Sequence, residues 1–88
     1  MKKKNLILLA KASTIEILSA LNDAPLRFVD LKGYCPNEST RATRLKELKK
    51  EGFITAIIKE IGDQSFIHYQ ITEKGKKALK LIEELEKL

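Results

Sequence analysis

Residues 37–54, NESTRATRLKELKKEGFI, form a short polar segment that ends at a glycine, directly before a β-branched run. The segment begins with Asn37, a residue type whose side chain accepts hydrogen bonds from the first free backbone N–H groups of a helix. We therefore predict an N-cap at Asn37 and a helix over about residues 38–51, ended by Gly52. Three small hydroxyl residues and two arginines lie in its first two turns, which gives this helix a polar outer surface.

At about 100° per residue, the apolar residues of this helix fall on one face, which we predict to pack into the core. They are Ala42, Leu45 and Leu48. The same projection directs the polar residues away from the core or onto its flanks, and these are Ser39, Thr40, Thr43, Arg44, Lys46, Glu47 and Lys50. Arg41 projects only about 40° from the centre of the apolar face. We therefore expect its stem to pack against the core while its charged head reaches solvent.

The residues before this helix predict two further helices. Apolar residues three or four apart predict a helix over residues 5–21, and Ser13 with Glu16 fits a capping box at which it restarts or bends. A short second helix is predicted over residues 28–31, ended by Gly33.

The residues after this helix predict a β-hairpin and a last helix. β-branched and apolar residues in 53–61 and 66–71 predict two strands joined by a turn at residues 62–65. One face of the second strand carries Ile67, Tyr69 and Ile71. Thr72 is predicted to cap a final helix over residues 73–88. Three helices, a hairpin wing and a C-terminal helix make an α+β, mostly α fold, in the order of a winged helix-turn-helix.

The charge of the chain is unevenly distributed. Its 88 residues suffice for one small domain, so we assign residues 1–88 to a single unit with a net charge of +5. Residues 1–50 hold eleven Lys/Arg against five Asp/Glu, a net charge of +6, while residues 51–88 hold six against seven, a net charge of −1. A positive excess around the predicted third helix favours a polyanionic partner, either nucleic acid or an anionic membrane surface.

The composition of residues 38–51 suits a helix that enters DNA. In a helix-turn-helix, the second of the paired helices enters the major groove with its N-terminal residues first. Short hydroxyl side chains approach phosphates and base edges closely, and arginines bind guanine or phosphate through two hydrogen bonds. The positive end of the helix also attracts phosphate. We therefore predict a protein that binds double-stranded DNA.

Other classes of function find little support in the sequence. The apolar run of residues 6–10 is shorter than the about 7–15 residues of a signal-peptide core, and no segment approaches the about 20 apolar residues of a membrane span. With a single cysteine, Cys35, no intrachain disulfide can form, which indicates a reducing, cytoplasmic compartment. Cys35 and His68 are too few donors for a metal, and no nucleophile has an evident base, so we predict no enzyme, cofactor, metal or small-molecule ligand.

Three stretches together resemble prokaryotic winged-helix transcriptional regulators of the HxlR, MarR and ArsR families. ILSALNDAPLRFVDLK, residues 17–32, resembles the first helix, turn and Arg-Phe-x-x-Leu second helix of those families. STRATRLKELKKEGFI, residues 39–54, resembles their recognition helix, and YQITEKGKKAL, residues 69–79, resembles the Tyr-x-Leu-Thr-x-x-Gly junction after the wing. The resemblance covers a core of residues 13–75 and implies a homodimeric, nucleoid-associated regulator of transcription.

The resemblance and the helix projection together give the predicted DNA-binding residues. They are Arg27, Asn37, Ser39, Thr40, Arg41, Thr43, Arg44, Lys46, Lys50, Gln64 and Ser65. The positions that match groove-facing ones are Ser39, Thr40, Thr43 and Arg44, and those beside the phosphate backbone are Lys46, Lys50 and Arg27. The chain departs from those families in two places. Arg41 stands where they usually carry an apolar residue, and the wing tip at residues 62–65 has no arginine or lysine, so we expect weak wing contacts.

Dimerisation is predicted through the last helix together with residues 5–12. The apolar residues of this predicted interface are Leu6, Leu9, Ala78, Leu81, Ile82, Leu85 and Leu88. The stripe on the last helix spans barely two heptads, which is too short to hold a coiled coil alone, so residues 5–12 would complete it. DNA half-sites about 34 Å apart also favour a two-fold symmetric protein.

Several alternatives stay open at the level of sequence. Some HxlR-type regulators sense oxidants through a cysteine, usually nearer the N-terminus than Cys35, which otherwise serves as a small buried apolar residue. A low-specificity nucleoid protein and a winged helix that binds another protein instead of DNA are the alternatives to a sequence-specific regulator. The many Lys, Glu and Ile residues, with few Asn, Gln and Cys, favour a thermophilic, archaeal source.

Overall fold

The computed structural model describes residues 3–88, and its element order confirms the winged helix-turn-helix. The helices are α1 (Lys4–Ala10), α2 (Thr14–Asp23), the 3-10 helix η1 (Val29–Gly33), α3 (Glu38–Lys50) and α4 (Glu73–Glu86). The strands are β1 (Ile54–Ile61) and β2 (Gln64–Ile71). Within residues 3–88, no helix is long and apolar enough to cross a membrane.

The helix predicted over residues 5–21 restarts after Ser13, as predicted, and forms α1 and α2. Ser13 adopts a left-handed backbone conformation with φ of 70°, and its side chain makes no capping hydrogen bond, so the predicted capping box is wrong. The break instead relies on backbone groups, because the Lys11 N–H donates to Leu8 O and the Ile17 N–H donates to Ser13 O. The turn at residues 11–13 separates α1 from α2, and most residues of α1 stay exposed.

Helix α3 begins and ends at the predicted residues. Asn37 Oδ1 accepts a hydrogen bond from Thr40 N at 2.8 Å, which confirms Asn37 as the N-cap. At the other end, Gly52 is left-handed with φ of 82°, Phe53 N donates to Leu48 O at 3.0 Å and Gly52 N donates to Lys49 O at 3.1 Å. This pair of bonds is a Schellman motif, and it turns the chain directly into β1.

The strands form an antiparallel hairpin with a shorter turn than predicted. Ile54 pairs with Ile71 at the base and Ile61 pairs with Gln64 at the tip, so only two residues, 62 and 63, form the turn. Gln64 and Ser65, predicted in the turn, belong to β2. Gly62 has φ of 63°, which is the left-handed conformation that two-residue hairpin turns require at their first position.

The base of the hairpin is fixed on both sides. Leu26 N donates to Tyr69 O at 3.0 Å and Tyr69 N donates to Leu26 O at 2.7 Å, a two-bond bridge from the α2–η1 connection to β2. Thr72 Oγ1 accepts from Gly75 N at 3.1 Å, which confirms the predicted cap of α4, and donates to Gly52 O at 2.6 Å. The hairpin is therefore attached at its base and free at its tip.

The core lies between α2, the start of β1 and the inner faces of α3 and α4. Its fully buried members come from every element except the tip of the hairpin. They are Leu8, Ile17, Leu18, Ala20, Leu21, Leu31, Cys35, Leu45, Leu48, Phe53, Ile54, Ile71 and Leu79.

Candidate nucleic-acid interface

Helix α3 presents a surface of small and basic side chains to solvent. Its exposed residues are Glu38, Ser39, Ala42, Thr43, Lys46, Lys49 and Lys50. Ala42 was predicted to pack into the core, and this is wrong. The buried side of the helix is formed by Arg41, Leu45 and Leu48, which turns the helix by about 30° from the predicted orientation.

Three lysines on this surface are available to an external anion. Within the described chain, no carboxylate oxygen lies within 4.0 Å of the ammonium groups of Lys46, Lys49 or Lys50. Lys46 and Lys50 were predicted on the outer face. Lys49 was missed, because the projection that placed Ala42 inward also placed Lys49 on the inner flank. Lys49 is exposed because the burial of Arg41 turns the helix, and the helical projection of the sequence does not contain that burial.

Arg41 is part of the core rather than of the outer surface. The residue is 4% exposed, and its guanidinium donates three hydrogen bonds to backbone carbonyls. These are Nε to Cys35 O at 2.9 Å, Nη2 to Pro36 O at 3.2 Å and Nη1 to Phe28 O at 3.3 Å. The prediction that its head reaches solvent is therefore wrong, and the buried guanidinium gives no support to the predicted DNA contact. The physical reason is that the carbonyl groups of Phe28 and of the loop that enters α3 accept hydrogen bonds from the buried guanidinium.

Arg44 is also turned away from the outer surface. Its side chain is 17% exposed, its Nε donates to Ala12 O at 3.0 Å and its Nη1 lies 3.1 Å from Glu47 Oε1. Ala12 belongs to the α1–α2 connection and Glu47 to α3, so these bonds hold the guanidinium toward that connection instead of toward the outer surface of α3. The expectation that Arg44 faces the groove does not match this geometry.

Glu47 links α3 to the α1–α2 connection. Lys11 Nζ donates to Glu47 Oε2 at 2.6 Å, and this hydrogen bond is the main reason that the pKa of Glu47 lies below its ordinary value of 4.5. One turn further along, Lys4 Nζ lies 3.1 Å from Glu51 Oε2. The C-terminal half of α3 is thus joined to both ends of α1 by side chains of opposite charge.

Arg27 connects the start of η1 to the hairpin. Its backbone N–H and its Nε both donate to Asp30 Oδ2, at 3.0 and 3.4 Å, and the backbone bond is the main cause that lowers the pKa of Asp30 below its ordinary value. Its Cζ lies 5.1 Å from the centre of the Phe66 ring. All three arginines of the chain, Arg27, Arg41 and Arg44, therefore have protein partners.

A groove separates α3 from the hairpin. It encloses about 270 Å³, with Ala42, Lys46 and Lys49 on the helix side and Ile67 and Tyr69 on the hairpin side. The predicted wing residues Gln64 and Ser65 are exposed at the tip of the hairpin. The tip thus carries polar side chains, whereas the wall of the groove is apolar with two ammonium groups at its edge.

A second groove lies between α1 and α4. Its volume is about 280 Å³. Its lining includes six of the seven residues predicted for dimerisation, and these are Leu6, Leu9, Ala78, Leu81, Ile82 and Leu85. Leu88, the seventh, is 99% exposed outside this groove. Two distant parts of the sequence therefore form one apolar surface.

The remaining polar candidates are buried in structural positions. Cys35 is 1% exposed, and its thiol lies 3.9 Å from Asn37 O. His68 is 8% exposed, with Nδ1 3.3 Å from Phe66 O. In the part of the chain that the structure describes, no three His, Cys, Asp or Glu side chains form a group that could hold a metal ion.

Comparisons with known proteins agree with this architecture. The HxlR-like helix-turn-helix family model matches residues 8–88. The chain is similar to the reduced form of the transcriptional regulator YodB from Bacillus subtilis, with 26% identity and a TM-score of 0.83 over 96% of this chain and 83% of that one. It is similar to Bacillus subtilis PadR in complex with operator DNA, with 26% identity and a TM-score of 0.68 over 80% of this chain and 45% of PadR. The structure of ytfH from Salmonella typhimurium, 23% identical with a TM-score of 0.79 over 97% of this chain and 77% of that one, shows the fold alone. No curated protein matches the sequence.

Proposed function

The chain belongs to the HxlR-like helix-turn-helix family, and from that premise we propose that it is a transcriptional regulator that binds double-stranded DNA sequence-specifically through α3. A regulator of this kind acts on the chromosome, so we assign it to the cytoplasm, associated with the nucleoid. The observation that carries the proposal is the outer surface of α3. Apart from Glu38, small side chains form its first half, and three lysines with no carboxylate partner among residues 3–88 form its second half.

The distribution of these side chains suggests how α3 meets the groove. Ser39 and Thr43 are exposed near the N-terminus of the helix, where helix-turn-helix proteins approach base edges. Lys46 and Lys50 lie one to two turns later, where an ammonium group can reach a phosphate. Thr40, half-buried, sits at the edge of this surface.

The flanking residues are assigned weaker roles. The Asn37 carboxamide oxygen is used as the N-cap, so only its NH2 group is free to donate to a phosphate. Gln64 and Ser65 contact DNA only if the hairpin reaches the neighbouring groove, and Arg27 would have to exchange Asp30 for a phosphate. We assign base reading to α3 and only backbone contacts to the hairpin.

We further propose that the protein is a homodimer that pairs through the groove between α1 and α4. Three leucines that line this groove are largely exposed to solvent: Leu6 is 62% exposed, Leu81 56% and Leu85 67%. Burial of such side chains stabilises association by about 1.5–3 kcal/mol each when it is complete. The lining of this groove contains no residue of α3, so a dimer formed through the groove alone covers none of the exposed residues of that helix.

Fluorescence anisotropy of a labelled random-sequence duplex, titrated with the protein at several salt concentrations, tests DNA binding. Each phosphate contact contributes about −0.9 to the slope of log K against log salt, so a dimer that loses Lys50 from both protomers has a slope flatter by about 1.8. Lys50→Ala is therefore expected to flatten the slope, while Lys80→Ala, on the exposed face of α4, leaves it unchanged. Absence of binding at low salt would contradict the proposal.

A low-specificity architectural protein is the second candidate function. The observation that favours it is the engagement of all three arginines inside the protein, since arginine is the usual reader of guanine. Selection of binding sites from a random duplex pool separates the two functions. A regulator enriches one sequence motif, whereas an architectural protein enriches none.

A further inference from the structure

The buried guanidinium of Arg41 joins three separate backbone positions. Phe28 O belongs to the residue before η1, and Cys35 O and Pro36 O belong to the loop that enters α3. The Cζ atom also lies 4.5 Å from the centre of the Phe28 ring. One side chain on the first turns of α3 thus holds the element that precedes it and the loop between them.

A guanidinium in this position has to satisfy its donors, because burial of an unpaired cation is costly. The three carbonyl groups lie at 2.9, 3.2 and 3.3 Å in different directions around the planar group. A lysine presents its donors from one compact centre, and an apolar side chain presents none, so neither reproduces this set of bonds. Arg41 also has no carboxylate within 4.0 Å in residues 3–88, so backbone carbonyl groups and the Phe28 ring stabilise the cation.

We infer that Arg41 is a positioning residue for DNA recognition: it sets the orientation of the first turns of α3 against η1 and contacts no DNA itself. The inference rests on the proposed function. Ser39 and Thr43 lie two residues before and after Arg41 on the opposite, exposed side of the helix, so a change in its anchoring displaces both. A small displacement matters because hydrogen bonds to base edges need donor–acceptor distances of about 2.7–3.2 Å.

The inference separates base discrimination from electrostatic affinity. In Arg41→Met, a side chain of similar length fills the site without the hydrogen bonds. We expect the affinity ratio between the selected DNA sequence and a random duplex to fall on the order of tenfold, the equivalent of one weakened base contact per site. The salt dependence is expected to stay unchanged, because no phosphate contact is lost. Arg41→Lys is expected to recover only part of the ratio.

Two results from these variants would overturn the inference. A flatter salt slope with a preserved ratio would mean that Arg41 contacts phosphate directly. A lower melting temperature with an unchanged ratio and unchanged affinity would mean that Arg41 only stabilises the fold. Lys80→Ala again serves as the matched control, since it removes an exposed cation of α4 and changes nothing in α3.

A second measurement needs neither DNA nor a folded variant. In the 15N-resolved NMR spectrum of the wild-type protein, the Nε–H of buried Arg41 is expected to exchange with water at least about tenfold more slowly than that of Arg27, whose side chain is 38% exposed. Equal exchange rates would overturn the inference even if a variant failed to fold. A slow Arg41 Nε–H in a protein that binds no DNA would reject the proposed function but retain the anchoring of α3.

Discussion

Substitution of Gly75 by alanine tests the junction between the hairpin and α4. A Cβ atom at residue 75 would lie 2.6 Å from Cγ1 of Ile71 and would collide with the carbonyl group of Phe53. The Ile71 side chain has some freedom to move, but the Phe53 carbonyl accepts a hydrogen bond from Thr72 N at 3.0 Å. The added methyl group therefore requires a shift of backbone that is already bonded.

Three contributions decide the sign of the effect. Alanine gains about 1 kcal/mol over glycine inside a helix. Loss of the bond between Thr72 N and Phe53 O costs about 1 kcal/mol and cancels that gain. The overpacking itself, typically about 1–3 kcal/mol, then remains as the net loss in the free energy of unfolding. For a domain of this size, a loss of about 2 kcal/mol lowers the melting temperature by about 8–16 °C.

Thermal unfolding followed by circular dichroism, at one fixed protein concentration, measures the shift. Gly33→Ala is the matched control, because a Cβ atom at that residue meets nothing within 4 Å and its φ is not positive. We expect Gly33→Ala to change the melting temperature little or to raise it. A Gly75→Ala protein that melts at or above the wild-type temperature would refute the assignment of Gly75 to a close backbone approach.

Three further predictions concern the cap, the acid response and the dimer surface. Asn37→Ala removes the cap of α3 and is expected to lower the free energy of unfolding by about 1 kcal/mol in thermal or chemical unfolding. Asn37→Asp keeps the cap but adds a negative charge, which is expected to weaken DNA affinity in anisotropy titrations. Equal stability of the two variants would argue against the cap. Because the folded pKa of Glu47 lies below 4.5, its contribution to stability is present above pH 4.5 and is lost as the pH falls through the folded pKa. The difference in melting temperature between wild type and Glu47→Gln is therefore expected to be constant at neutral pH and to shrink below about pH 4.5. A constant difference down to about pH 3 would contradict the link to Lys11. Leu85→Glu is expected to yield a monomer in analytical ultracentrifugation while Lys80→Glu does not, and a wild-type protein that is monomeric at every concentration would refute the proposed interface.

Both ends of α3 and the start of α4 were predictable because local residues determine them. Asn37, Gly52 and Thr72 act through hydrogen bonds and backbone conformations within a few residues of their own positions. The order of elements, the fold and the class of function follow from such local signals, and they are confirmed. Of the three families named by resemblance, HxlR is the one whose model matches the chain.

The errors concern features that depend on distant parts of the chain. Arg41 is buried because carbonyl groups from Phe28 and from residues 35–36 surround it, and no helical projection contains that information. The same error assigned Ala42 to the core and hid Lys49. The restart of the helix at Ser13 was predicted, but its cause was not, since the local sequence favours a cap that does not form. The dimer, the individual DNA contacts, a redox role for Cys35 and an archaeal source stay predictions.

The side chains that join α1 to α3 have a consequence for operator length. Lys4 with Glu51, Lys11 with Glu47, and Arg44 with Ala12 O attach the recognition helix to the helix that we propose to lie at the dimer interface. In such a dimer the two recognition helices are attached rigidly to the interface, so the distance between them is fixed. An operator lengthened by one base pair between its half-sites moves the second half-site by about 3.4 Å and rotates it by about 35° around the duplex. Two recognition helices at a fixed separation cannot both enter the major groove after that rotation. The protein therefore recognises the spacing between the half-sites as well as their sequence.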